Sequence, residues 1–125
     1  MPHHLLSIAG PKGLLVVNAS KRYRKEVKVE GNFGSIEWSP LGNYCAAIRT
    51  NEVGTRRVYV IAVEVEGIKE HFELDNSTNS NFLSFSPGEN WLVVGLDSDT
   101  GTKCRLFNLG EYTHVDFEMK GETSA

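Results

Sequence analysis

Few residues of this sequence have types and spacing that could carry chemistry, and the densest group is a basic run. Six residues close together, five cations and one aromatic, form it: Lys21, Arg22, Tyr23, Arg24, Lys25 and Lys28. Cations around an aromatic ring could hold phosphates and stack on a base, or dock on an acidic protein surface. They could equally belong to a solvated hairpin whose charges keep a sheet edge from aggregating. We therefore mark these residues as a possible partner-binding site.

A second candidate is the acidic loop Asp97-Ser98-Asp99-Thr100-Gly101, in which two carboxylates stand two positions apart before a glycine. Calcium takes about six to eight oxygen ligands, usually with a further bidentate carboxylate some residues on. Here Lys103 follows instead, and the next acid is Glu111. Asp and Gly are also what a hairpin turn requires, so we predict no metal site.

The histidines and serines do not form a catalytic pattern. His71 and His114 lack a second ligand or base at a spacing that would bring it onto the same strand face. Ser39 and Ser86 each precede a proline and are interpreted as turn residues. Neither a nucleophile elbow nor a phosphate-binding glycine loop occurs. We expect no catalytic residue, no cofactor and no enzymatic activity in this chain.

The elements that must position these residues are repeated. Residues 36–44 and 83–91, 47 positions apart, each combine an alternating apolar run, a Ser-Pro turn with glycine, and an aromatic opening an apolar stretch. Alternating triplets recur at 27–29, 72–74 and 117–119, 45 positions apart each time. Apolar residues at every second position indicate strands with one buried face. A period of this size indicates repeated four-stranded units.

The repeat predicts an all-β chain of antiparallel, four-stranded units in a single domain covering residues 1–125. The units are predicted at about 4–31, 32–76 and 77–121, the first without its opening strand. The predicted strands are 5–9, 14–18, 25–30, 35–38, 44–49, 57–64, 69–74, 81–85, 91–96, 103–108 and 114–119. In the alignment of the units, residues 4–9 of the first strand are matched to residues 91–96 of the third unit, which places His4 over Trp91. The predicted core includes Trp38, Phe85, Phe72, Phe117, Leu74, Val60, Ile61, Val93 and Leu106.

Trp38-Ser39-Pro40-Leu41-Gly42 and Phe85-Ser86-Pro87-Gly88, each followed by a strand, resemble the β-propeller repeats of the TolB-like and WD-repeat families. The Gly-His and Trp-Asp pairs of WD repeats are absent, which favours the TolB-like group. The resemblance covers roughly residues 5–120 and implies propeller-like blades. Three units are fewer than the roughly four to eight blades of a closed ring, so an incomplete ring is expected. An open twisted sheet or a β-sandwich is the alternative.

Composition narrows the functional classes. A net charge of −3 and a pI near 5.8 argue against a general nucleic-acid protein, and no apolar run approaches the roughly 18 residues of a membrane span. The amino-terminal residues lack a signal-peptide pattern, and Cys45 and Cys104 lie in apolar runs typical of buried, reduced thiols. We therefore expect a cytoplasmic protein, with a nuclear location also compatible.

These observations predict a non-catalytic, propeller-type scaffold or protein-interaction module that closes or docks through exposed strand edges. Self-association or a protein partner is expected. Nucleic acid is a less favoured partner, through residues 21–28 alone, and no membrane contact is expected. The resemblance also allows two alternatives: the propeller portion of a larger prolyl-oligopeptidase-like enzyme, or of a protein similar to translation initiation factors.

Overall fold

The computed structural model describes residues 4–65, 67–98 and 101–120, and the side chains of 118–120 lie outside the description. Eleven strands fill most of this part: β1 (Leu5–Gly10), β2 (Gly13–Asn18), β3 (Arg24–Glu30), β4 (Asn32–Trp38), β5 (Tyr44–Thr50), β6 (Arg56–Glu64), β7 (Gly67–Glu73), β8 (Ser80–Phe85), β9 (Trp91–Ser98), β10 (Gly101–Asn108) and β11 (Thr113–Lys120). All eleven predicted strands are present, and their ends lie within three residues of the predicted ones. Helix is confined, within the described ranges, to the 3₁₀ turn Ala19–Lys21.

The strands form three separate antiparallel sheets in which each strand pairs with its neighbour in sequence. The first sheet is β1-β2-β3, the second β4-β5-β6-β7 and the third β8-β9-β10-β11. Hydrogen-bond ladders stop between β3 and β4 and again between β7 and β8. The all-β prediction of small antiparallel units is therefore confirmed, and the alternative of one open sheet or a two-sheet sandwich is wrong.

The hydrophobic core lies between the sheets in two layers. The layer between the first and second sheets contains Leu14, Val16, Val27, Phe33, Cys45, Ala47, Tyr59, Ile61 and Val63. The layer between the second and third sheets contains Ala46, Ile48, Val58, Val60, Leu74, Leu83, Leu92, Val94, Leu96, Phe107 and Leu109. Because side chains alternate along a strand, the second sheet buries both of its faces. The outer sheets each bury one.

The predicted superposition of the first strand is wrong by one residue. Gly10 pairs with Gly13 as Ser98 pairs with Gly101, and this equivalence puts His4 over Leu92 rather than Trp91. A slip of one residue exchanges the two faces of a strand. Ser7 therefore faces the second sheet, where its hydroxyl accepts a hydrogen bond from Trp38 Nε1 at 2.8 Å.

The predicted core is correct in part. Leu74, Val60 and Ile61 are buried. Three aromatics are only half-buried and pack against the edges of the core layers: Trp38, Phe72 and Phe85. The prediction is wrong for Phe117, which is 56% exposed, and for Val93 and Leu106, which are half-buried on the same outer face of the third sheet. Both faces of that sheet are apolar, so alternation alone did not identify the buried one.

Candidate interaction surfaces

The six residues of the predicted binding run do not form one site. Lys21, Arg22 and Tyr23 make the turn between β2 and β3, where Arg22 and Tyr23 have φ of 57° and 60° and Tyr23 is 65% exposed. The Arg24 guanidinium pairs with the Glu26 carboxylate at 2.8 Å. This pairing, which outweighs the opposing effect of burial, lowers the pKa of Glu26.

The other two cations, Lys25 and Lys28, lie on the outer face of the first sheet beside apolar neighbours. Residues directly opposite on paired strands share a face, and the register gives the rows Leu6–Val17–Lys25 and Ile8–Leu15–Lys28. Leu6 is 51% and Ile8 60% exposed, and a groove of about 550 Å³ runs along Ile8, Leu15, Lys25 and Lys28. We name these six residues the lysine-edged face.

The outer face of the third sheet is also apolar. Its two cross-strand rows are Ser84–Val93–Leu106–Val115 and Phe82–Gly95–Cys104–Phe117. The Phe82 ring covers Gly95 so closely that a β-carbon there would collide with it. Phe82, Val115 and Phe117 are 42%, 50% and 56% exposed. We name Phe82, Val93, Cys104, Leu106, Val115 and Phe117 the aromatic face.

The two faces of the third sheet differ in charge: one carries an ion pair, and the two rows of the other carry no charged residue. On the side facing the second sheet, the Arg105 guanidinium binds the Asp116 carboxylate through two hydrogen bonds of 2.6 and 2.8 Å. This pairing, which outweighs the opposing effect of burial, raises the pKa of Arg105 and lowers that of Asp116. The two rows of the aromatic face contain no charged residue. Exposed apolar surfaces of this kind are often binding surfaces in folded proteins.

A buried carboxylate joins the second and third sheets. Glu89, 6% exposed, comes from the turn before β9 and reaches the turn before β5. It accepts hydrogen bonds from the Ser39 hydroxyl, from the Leu41 amide at 2.6 Å and from Asn43 Nδ2 at 2.7 Å. Ser39 is itself 4% exposed. We call this arrangement the Glu89 clamp.

The clamp decides the charge state of Glu89. Burial by itself raises the pKa of this carboxyl, but the hydrogen bonds from Ser39, Asn43 and the Leu41 amide outweigh it and hold the pKa below its ordinary value. The backbone carries a cost as well, because Glu89 has φ of 67°, a left-handed conformation that side chains disfavour. A strained, buried and ionised Glu whose four donors all come from the neighbouring turn is a structural group.

A larger groove of about 850 Å³ lies between the first and second sheets and is lined by several charged residues. Its cations are already engaged. Arg49 Nη2 donates to the Glu30 carbonyl at 2.7 Å, and the guanidinium lies 5.6 Å from the centre of the Phe33 ring. Arg57 pairs with Glu73 at 3.2 Å. These charges support the packing of the sheets and leave little to recognise a charged ligand.

The remaining sequence candidates have structural contacts. Asp97 binds Arg56 and Asn81, while Asp99 and Thr100 lie outside the described residues. Tyr59 Oη and His71 Nδ1 share a hydrogen bond of 2.5 Å, and His114 lies against the Phe107 ring. In the part of the chain that the structure describes, His, Cys, Asp and Glu side chains nowhere gather in threes that could hold a metal.

The two cysteines differ. Cys45 is 1% exposed, and burial raises the pKa of its thiol to about 12, as expected for an inert core residue. Cys104 is only half-buried, so the prediction of a buried thiol is wrong for it. It lies in the middle of the aromatic face, between Gly95 and Phe117.

Two solved structures that resemble this arrangement of sheets are β-propellers. The chain is similar to the β-propeller domain of the Trilobed protease from Pyrococcus furiosus, which has an open velcro topology (TM-score 0.63, 18% identity, 92% of this chain and 38% of that one). It is also similar to TolB from Acinetobacter baumannii (TM-score 0.61, 11% identity, 91% of this chain and 30% of that one). The fold is thus that of β-propeller blades in an incomplete ring, and the chain spans about a third of the length of these two solved chains.

Sequence comparison adds no family: no protein-family model and no curated protein matches the chain. Within the residues described, a helix long and apolar enough to span a membrane is not found.

Proposed function

We propose that this chain is a non-catalytic, β-propeller-type interaction module that docks other β-sheet surfaces on its lysine-edged and aromatic faces. The observation that carries the proposal is the pair of apolar outer faces on the first and third sheets. Between them these faces expose Leu6, Ile8, Phe82, Val115 and Phe117 by 42–60%. The same two sheets bury their inner faces against the second sheet.

Protein is favoured over nucleic acid as the partner. Lys25 and Lys28 stand in the same rows as the exposed Leu6 and Ile8, so a surface that fits them must cover these two apolar side chains as well as meet two cations. Lysine does this readily, because its stem packs on apolar groups while its ammonium stays in water. A phosphate backbone would meet the cations alone, and its affinity would fall steeply with salt.

Site-specific photo-crosslinking tests the docking role. A benzoyl-phenylalanine is placed at Ile8 or Phe117 in the cells that make the protein, and at Val53 as the control. Val53 is 85% exposed at the tip of the β5–β6 hairpin and belongs to neither face. Discrete protein adducts at positions 8 and 117 that are absent at 53 are expected. The proposal fails if the two faces give no adduct, or if position 53 gives the same ones.

A cytoplasmic location and the absence of enzymatic activity remain predictions. The clamp, the Arg105–Asp116 pair and the Arg57–Glu73 pair explain the charged groups between the sheets as structural. An assay of the purified chain against peptide and ester substrates checks the second prediction. Turnover that survives purification of the chain to homogeneity would contradict it.

A further inference from the structure

A groove of about 470 Å³ lies between the second and third sheets, at the end of the sheets where the Glu89 clamp is found. The strand register places Tyr44, Ala62 and Glu70 in one cross-strand row, on the face of the second sheet that is turned toward the third. The opposite wall is formed by Tyr112, in the turn before β11, and by two glycines. We name the lining residues that shape it the tyrosine groove: Tyr44, Ala62, Glu70, Gly88, Gly110 and Tyr112.

Both tyrosines of the groove are held in place by the chain itself. The Tyr44 amide donates to the Ser39 hydroxyl at 2.9 Å. The Tyr112 amide donates to the Asn108 carbonyl at 2.6 Å, and the Tyr112 ring packs edge-on against Phe72, with 5.2 Å between the ring centres. The rings are therefore positioned before any ligand arrives, which lowers the entropic cost of binding.

The groove also brings a carboxylate close to both rings. Burial raises the pKa of both tyrosine hydroxyls, to about 12 for Tyr112, and neighbouring negative charges add to this effect, that of Glu70 in both cases. Both hydroxyls therefore remain neutral at physiological pH. Because its charge acts on both hydroxyls, the Glu70 carboxylate lies near both rings.

The charged groups at the rim leave the groove negative. Glu64, Lys69 and Glu70 are exposed there, and none of the three forms an ion pair with another residue in the part of the chain that the structure describes. Glu89 also reaches the groove, but its charge is already met by the donors of the clamp. Two unpaired carboxylates thus face a single ammonium.

Neutral aromatic rings beside a carboxylate attract cations, because the face of a ring and the carboxylate are both negative. Between the first and second sheets the chain satisfies this attraction itself, since the Arg49 guanidinium lies 5.6 Å from the centre of the Phe33 ring. Among the described residues, neither lysine nor arginine lies in this way over Tyr44 or Tyr112. The tyrosine groove therefore has the surroundings of a cation without a cation of its own over its rings.

We propose that the tyrosine groove binds an organic cation, an alkylammonium or alkylguanidinium group whose charge pairs with Glu70 and whose stem lies against the two tyrosine rings. Two sources supply such a group: a lysine or arginine side chain of another protein, and a free amine. This inference goes beyond the proposed function, because the groove shares no residue with the lysine-edged face or the aromatic face.

NMR titration of the isotope-labelled chain with n-butylammonium chloride or ethylguanidinium chloride is the test, at an ionic strength held constant with sodium chloride. The amide signals of Ala62, Gly110 and Tyr112 are expected to shift saturably. A dissociation constant of about 1–20 mM is expected, because contacts of one exposed ion pair and two rings are weak. Sodium butyrate, which has a similar chain and the opposite charge, and calcium chloride should give no saturable shift at these amides.

Two variants locate the binding site. Glu70→Gln keeps the shape of an exposed side chain and removes its charge, and should weaken binding of both cations at least about fivefold. Tyr44→Leu removes one ring and should weaken it at least about threefold. The matched control, Glu52→Gln on the exposed β5–β6 hairpin, should leave binding unchanged. The amide spectrum establishes that each variant is folded, and Glu70→Gln alone decides if Tyr44→Leu is not.

The peptide acetyl-Gly-Arg-Gly-amide and spermidine separate the two sources of the cation. Tighter binding of the peptide than of ethylguanidinium assigns the cation to a protein side chain, provided that citrulline in place of arginine abolishes it. Tighter binding of spermidine than of n-butylammonium assigns the cation to a free amine.

Three results would overturn the proposal. They are the lack of a saturable shift with either cation up to about 50 mM, the same shifts with butyrate or calcium, and a Glu70→Gln variant that binds as tightly as the wild type. The photo-crosslinks at positions 8 and 117 report on other surfaces, so failure of the groove and failure of the docking role are distinguishable.

Discussion

The turn at residues 39–44 and the turn at residues 86–91 have the same internal hydrogen bonds but different surroundings. In one, the Gly42 amide donates to the Ser39 carbonyl and the Tyr44 amide to the Ser39 hydroxyl, each at 2.9 Å. In the other, the equivalent bonds from Glu89 and Trp91 to Ser86 are 2.9 and 3.1 Å.

The first turn lies beneath the third sheet and receives the Glu89 carboxylate, whereas the second turn supplies that carboxylate. Glu89 stands where the first turn has Gly42, and both residues have a positive φ, of 67° and 80°. The two turns therefore have the same backbone design, and whether a carboxylate binds to one of them depends on the sheet that packs beside it. The outer faces follow the same logic: equivalent surfaces are buried inside the chain and exposed at its outer sheets.

The largest expected effect separates the buried and exposed faces of the third sheet. Phe107 is 1% exposed between the second and third sheets, and Phe117 is 56% exposed on the opposite face. Phe107→Ala should lower the free energy of unfolding by about 3–5 kcal/mol through the cavity it leaves, and Phe117→Ala by less than about 1 kcal/mol. Urea denaturation below 1 μM, where association contributes least, measures both. Equal losses would mean that the faces are wrongly assigned.

The Glu89 clamp should rank next. Glu89→Gly gives the second turn the residue type that the first turn has at Gly42, so it removes the carboxylate without adding backbone strain. Leaving the buried donors of the Ser39 turn unpaired should cost about 1.5–3 kcal/mol. Glu89→Ala should cost up to about 1 kcal/mol more, because alanine tolerates a positive φ poorly.

The matched control is Glu52→Ala on the exposed β5–β6 hairpin, which should change stability by less than about 0.5 kcal/mol. A Glu89→Gly variant as stable as this control would contradict the clamp.

A smaller effect follows from the lowered pKa of Glu89. A carboxyl with a lower pKa in the folded than in the unfolded chain stabilises the fold fully above the unfolded value and loses that contribution as pH falls through the folded value. The stability difference between wild type and Glu89→Gln should thus be constant above about pH 5 and shrink below about pH 4.5. Glu26 and Asp116 also have lowered pKa values, but both variants retain them. A difference that grows on acidification would contradict this assignment.

The repeat in the sequence was enough to predict the strands, because alternating apolar residues and Ser-Pro turns are local signals. It was not enough to assign faces. His4 was placed one residue out of register, since hairpin length and not residue type sets the pairing, and this concealed the exposure of Leu6 and Ile8. Phe117 was assigned to the core because an apolar residue looks the same whether or not a neighbouring sheet covers it.

The clamp was missed, although the sequence contained a signal for it. Aligning the two turns puts a charged Glu89 at the position of Gly42, where a positive φ favours glycine. Such a substitution must be compensated by a specific contact. The partner could not be predicted, because Ser39 lies in another sheet and approaches Glu89 only once the sheets pack.

The most direct test of the Glu89 clamp is a double-mutant cycle of Ser39→Ala and Glu89→Gly. The same cycle with Ser86→Ala and Glu89→Gly is its control. Each serine hydroxyl accepts a hydrogen bond from one backbone amide of its own turn, but the Ser39 hydroxyl also donates a hydrogen bond to the Glu89 carboxylate. The Ser39 cycle should give a coupling energy of about 1–2 kcal/mol, and the Ser86 cycle less than about 0.5 kcal/mol. A Ser39 cycle that is additive within about 0.3 kcal/mol, or a Ser86 cycle with equal coupling, would contradict the account of how these sheets are joined.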